Sequence, residues 1–166
     1  MAGNEWEKEL SLGDRYLDQY NYKESFKHYK KASELNPKSD KSFFGMAEAA
    51  RGIPKINVNE IIGYYKKAIE LNQKEPLYYT SLGAFYIENN MINEAEHVYI
   101  EATKIDEQNK HLYLSELAIE YYSNSIARLD DDSTQQELDE IKKKALNYFL
   151  MAIDLEPAKA QTFLQN

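Results

Sequence analysis

Residues 11–37 read "SLGDRYLDQYNYKESFKHYKKASELNP". The spacing of apolar residues predicts two amphipathic helices joined by a short turn and stopped by Pro37. One such pair cannot bury its apolar face alone, so the stretch asks to be the first of a series.

The series is present. "KKASELNP" (30–37), "KKAIELNQ" (66–73), "IEATKIDE" (100–107) and "LMAIDLEP" (150–157) align with Ala32, Ala68, Ala102 and Ala152 in one slot. Three residues upstream stand Tyr29, Tyr65, Tyr99 and Phe149; four further upstream stand Ser25, Ile61, Ala95 and Ala145. Steps of three and four put all three slots on one face of each second helix. The first helices carry Leu12-Gly13 with Tyr16, Phe44-Gly45 with Glu48, Leu82-Gly83 with Tyr86, and Leu117-Ala118 with Tyr121. A glycine inside a helix costs about 1 kcal/mol relative to alanine, so its return in one slot calls for close approach of a neighbouring helix.

The totals agree with a helical, non-membrane chain. Of 166 residues, 43% are hydrophobic and 29% charged, too apolar for a disordered chain, and glycine (six) and proline (four) are scarce. "YYTSLGAFYI" (78–87) is rich in aromatics, but Tyr79, Leu82, Phe85 and Tyr86 follow helical spacing rather than alternation. No apolar run approaches the ~18–20 residues that span a bilayer, so no membrane insertion is expected. The chain has no cysteine, and "MAGNEWEKEL" lacks the basic-then-apolar order of a secretory signal, which together suggest a reducing, cytoplasmic setting. A net charge of −8 opposes a phosphate backbone and argues against nucleic acid as a partner.

Four helix pairs with these slots resemble the tetratricopeptide repeat family, over about residues 6–157. Units one and three match in spacing, with nineteen residues from Gly13 to Ala32 and from Gly83 to Ala102; Pro37 and Pro157 fill a proline slot that Gln73 and Glu107 occupy in the middle units. The resemblance implies an all-α fold, a right-handed superhelical stack of antiparallel helix pairs, in a single domain of four units at about 6–37, 38–75, 76–109 and 110–157. Residues 158–166, "AKAQTFLQN", are expected to be the start of a fifth unit's first helix, because the count of seven from Pro37 to Phe44 recurs from Pro157 to Leu164. Unit two carries four extra residues around Gly52 and Pro54. Unit four carries fifteen, in which Tyr122, Ile126 and Leu129 extend the first helix and Ser133 with Gln136 opens a long second one.

In this family a concave surface is lined by first-helix positions offset −3, +1 and +4 from the glycine slot. Here these are Leu10, Asp14 and Leu17; Ser42, Met46 and Ala49; Thr80, Ala84 and Ile87; and Ser115, Ile119 and Tyr122. One of the twelve is charged, and an apolar lining of that extent points to a groove for a peptide or protein segment. The alternative is that repeat twist turns some of them into core, or that the chain's own tail covers them. The family's clamp for a chaperone C-terminal carboxylate needs Lys and Asn where this chain has Leu10 and Asp14, Asn where it has Phe43, and basic residues where it has Leu77 and Ser81; with no cation to pair the carboxylate, a partner of that type is not expected.

Other signals have plainer readings. The lysines of "YKK" (29–31), "YYKK" (64–67) and "KKK" (142–144) suit a solvated face, and unit four replaces the paired lysines with Leu150 and Met151, which the overlong helix or a second copy would cover. Asp130–Asp132 lacks the alternating ligands and glycine of a cation loop, and His28, His97 and His111 have no partner at helical spacing, so no metal site, cofactor or catalytic residue is expected. The expected function is a non-catalytic interaction scaffold or adaptor. The alternatives are a secretion-type chaperone holding an export substrate, or a structural subunit that forms a homodimer through its C-terminal end.

Overall fold

The computed structural model describes residues 3–155. Pro157 and the expected terminal helix at 158–166 lie outside the described residues. All regular structure among the described residues is helical: α1 (Gly3–Asp18), α2 (Tyr22–Leu35), α3 (Asp40–Arg51), α4 (Val58–Leu71), α5 (Pro76–Glu88), α6 (Ile92–Ile105), α7 (Lys110–Ile126) and α8 (Gln135–Ala152), with a 3-10 turn at Glu107–Asn109 before α7. The chain divides into two compact units, the first ending at Tyr78 and the second beginning at Tyr79.

In the first unit α1 packs on α2, α2 on α3, and α3 on α4. The glycine slot has the packing role its recurrence predicts. A Cβ on Gly13 would stand 2.6 Å from the Tyr29 ring, and one on Gly45 would overlap the other side of the same ring. Tyr29 is wedged between α1 and α3 with 2% of its surface exposed. Its hydroxyl donates to Asp14 at 2.7 Å, and burial, reinforced by that carboxylate, pushes its pKa far above the usual tyrosine value. Around it lie Met46 and Ala49, with Leu10, Leu17, Phe26 and Phe43 packed against them. Ser25, the small residue of the third slot, donates to the Gly13 carbonyl at 2.9 Å, which satisfies its buried hydroxyl.

Helix ends follow local chemistry. Ser39 caps α3 by accepting from Ser42 N, and Asn57 caps α4 by accepting from Glu60 N at 2.9 Å after the turn at Gly52 and Pro54. Between α1 and α2 Tyr20 takes φ 57°, and Asn21 N donates back to Tyr16 O at 2.9 Å. This is a left-handed helix stop normally given to glycine.

In the second unit α6 packs on α7 and α7 on α8. Here a Cβ on Gly83 would stand 2.5 Å from the Tyr99 ring, and the Tyr99 hydroxyl donates to Glu116 at 2.9 Å. The aromatic stretch is helix, with Leu82, Phe85 and Tyr86 buried. Asn90 repeats the turn of Tyr20 with φ 60°.

Two boundaries differ from expectation. Helix α7 ends at Ile126, so Leu129 lies in the following turn rather than in an extended helix. That turn is fastened by Arg128, which donates to the Ile87 and Glu88 carbonyls at 2.8 and 2.7 Å and so satisfies the end of α5. The capping box sits one residue later than Ser133 and Gln136: Thr134 accepts from Glu137 N at 3.2 Å, and the Glu137 carboxylate accepts from Thr134 N at 2.7 Å. Ser133 is engaged elsewhere, donating to Asp130 Oδ1 at 2.9 Å.

Candidate functional site

The twelve groove positions do not behave alike. Ser42, Met46, Ala49, Thr80 and Ile87 are buried, so the core alternative accounts for them. In the first unit the cause is visible: Met46 and Ala49 pack with Tyr29, Phe26 and Tyr64, and Ser42 turns its hydroxyl to Ser39 Oγ at 2.8 Å. Ala84 and Ser115 are half-buried. Asp14, Ile119 and Tyr122 are exposed, and Leu10 and Leu17 are half-buried against the Tyr29 cluster; these five line two clefts, with Leu10, Asp14 and Leu17 in the first unit and Ile119 and Tyr122 in the second.

The first-unit cleft has a volume of about 340 Å³. Helix α1 supplies Leu10, Asp14 and Leu17, α3 supplies Lys41, Phe44 and Glu48, and Glu75, Leu77 and Tyr78 close the far side. One wall is a stacked pair, Phe44 on Tyr78, with ring centroids 4.7 Å apart. The Tyr78 hydroxyl is held by Asp40 at 2.9 Å, and Asn72 at the end of α4 donates to the same carboxylate oxygen at 2.9 Å. Burial works against the ionised Asp40, but these two bonds and backbone N–H donors outweigh it and lower its pKa. The aromatic wall is therefore anchored from behind.

The lining sets an apolar floor against three carboxylates, Asp14, Glu48 and Glu75, and one lysine, Lys41. Asp14 is held by Tyr29; Glu48 accepts from the Tyr65 hydroxyl and lies 3.6 Å from Arg51; Glu75 accepts from Leu77 N at 3.4 Å. Leu77, 52% exposed, stands at the mouth.

The second-unit cleft, about 330 Å³, lies between α7 and α8 and is lined by Ile119, Tyr122, Lys142, Leu146 and Phe149. Phe149, in the slot of Tyr29, is 40% exposed. Of the two apolar residues that replace lysines in this unit, Leu150 is buried and Met151 exposed.

One cluster was not legible from sequence motifs. Glu9, buried in α1, lies 2.6 Å from His28 Nδ1 and accepts from Lys31 Nζ at 2.7 Å, while the His28 ring stacks on Tyr16 at 5.2 Å. The hydrogen bonds from Lys31 and His28 hold the Glu9 pKa below the usual carboxylate range. His28 thus has a structural partner, and Lys31 is not simply solvated. Lys144 also departs from a solvated face: it lies over the Tyr121 and Tyr148 rings and pairs with Glu96 at 2.8 Å. Among the described residues no group of three or more His, Cys, Asp or Glu is placed to hold a metal ion, and no helix is long and apolar enough to cross a membrane.

Consecutive helix pairs closed by a glycine-and-tyrosine slot define a helical-repeat fold. The family model for the tetratricopeptide repeat matches residues 64–97, from within α4 through α5 into α6. That stretch is similar to the tetratricopeptide repeat, and the helix pairs around it have a fold of that kind. No curated protein matches it in sequence. Among 42 matching solved chains is the crystal structure of MamA, with a TM-score of 0.69 at 21% identity over 96% of this chain and 82% of that one, a likeness of fold.

Proposed function

We infer that this protein is a non-catalytic adaptor that binds a protein segment in the first-unit cleft, and that the segment presents apolar side chains beside a lysine or arginine. The observation that carries this reading is the lining: Leu10, Leu17, Phe44 and Leu77 offer apolar contact, while three carboxylates face one lysine. An apolar floor supplies affinity, and rim charges select the partner and speed its approach. The same charge balance disfavours an acidic C-terminal tail, in line with the missing carboxylate clamp. The anchored Phe44–Tyr78 wall supports the reading as well, since a pre-formed surface loses little freedom on binding.

Selection of random twelve-residue peptides on the full chain tests this. The enriched peptides should carry Lys or Arg flanked by apolar residues, and their affinity should fall at least about tenfold in a Leu10→Lys/Leu77→Lys variant of unchanged helicity, the loss of roughly one anchor contact. Enriched peptides without a cation, or equal binding to the variant, would remove the cleft as the site.

A further inference from the structure

We propose that Glu75 takes the partner's cation in the first-unit cleft, with the methylene stem of that lysine or arginine laid along Leu77. This assignment rests on the cleft being the binding site and names the residue that gives it its preference. Three carboxylates line the cleft, and their surroundings separate them. Glu48 already has a cation: it lies 3.6 Å from Arg51 and also accepts from the Tyr65 hydroxyl. Asp14 is exposed and gives one oxygen to Tyr29 at 2.7 Å, so a cation beside it stays in water and is screened by salt. Glu75 is half-buried; among the described residues its carboxylate has no ion pair and accepts from Leu77 N at a long 3.4 Å. Lys41, the one cation of the lining, is exposed and likewise makes no ion pair among the described residues, so it does not offset Glu75.

The placement of Glu75 suits this role. It immediately precedes Pro76, the first residue of α5, and its backbone carbonyl accepts from Tyr78 N at 3.2 Å, so the chain around it is fixed before a partner arrives. Burial first, then the Asp40 carboxylate and then the charge of Glu75 push the Tyr78 hydroxyl above the usual tyrosine range, which puts Glu75 beside the anchored aromatic wall. Leu77, two residues on and 52% exposed, offers an apolar ledge at the mouth. A lysine or arginine buries its stem on such a surface while its charged head reaches a carboxylate. A half-buried carboxylate without a cation gains more from a new ion pair than an exposed or already paired one, because less water screens the contact and no existing partner is displaced. An acidic segment would meet the same uncompensated charge and be repelled.

A double-mutant cycle on the full chain tests the assignment. The probe is a peptide selected on the wild type, beside the same peptide with its Lys or Arg changed to Gln. In the wild type that change should weaken binding at least about fivefold. In Glu75→Gln, which keeps an oxygen for Leu77 N, the two peptides should bind within about twofold of one another, while Asp14→Asn should keep the wild-type difference. Glu75→Lys should go further and prefer the peptide with Glu in place of its cation. A difference between the two peptides that persists in Glu75→Gln, or none in the wild type, would overturn the assignment; loss of the peptide in Leu10→Lys/Leu77→Lys would then show that the cleft still holds it. Equal binding to wild type and Leu10→Lys/Leu77→Lys would remove the cleft itself, and Glu75 with it.

Discussion

The first helix pair and the last carry the same slots and present them differently. On α2, Tyr29 is closed between two glycine-bearing helices; on α8, Phe149 in the same slot lies open beside Leu146 and Tyr122. Repeat register decides which face of a helix a residue occupies, and the presence of the next helix decides whether that face is interior or surface. The two clefts differ too. The first is walled by an aromatic stack and ringed by charge, while the second is lined mainly by apolar side chains.

Substitution at the paired aromatic slots should give the largest difference between the two regions. Tyr29→Ala removes a ring packed on both faces and should cost about 3–5 kcal/mol in chemical denaturation, while Phe149→Ala should cost under about 2 kcal/mol. Equal losses would mean that the two slots are covered alike.

Acid should next weaken the α1–α2 contact selectively. Because the Glu9 pKa is lowered in the folded state, its contribution is complete above the unfolded value and is lost as pH falls through the lower folded one. Wild type and Glu9→Gln should therefore differ most in melting temperature near neutral pH and converge toward about pH 3. A constant gap across that range would show that Lys31 and His28 do not depend on the Glu9 charge.

The smallest effect concerns the turns. Tyr20 holds a positive φ at an exposed position, so Tyr20→Gly should raise stability by about 0.5–1 kcal/mol. The same change at a residue of negative φ, such as Gln19→Gly, should lower it.

Much of this architecture was readable from residue identity because the repeat reports on packing. The recurring glycine announced a close helix approach, and Tyr29 against Gly13 and Gly45 supplies it. Other features were not readable, for physical reasons. Exposure of Met46 or Ile87 depends on helices distant in sequence, so an apolar groove position and a core position look the same in the chain. Ser133 and Thr134 are both competent caps, and the choice fell to Thr134 because Asp130 engages Ser133. Glu9, His28 and Lys31 come together only when α1 lies against α2, across 19 and 22 residues, and no local spacing signals them.

The central claim, that the first-unit cleft is where this scaffold takes a protein segment, is tested most directly by amide chemical-shift mapping with a selected peptide titrated into the labelled full chain. The account predicts shifts at Leu10, Asp14, Phe44 and Leu77 that saturate together, with α7 and α8 unmoved. Shifts confined to Ile119, Tyr122 and Leu146 would contradict it and would move the binding surface to the last helix pair.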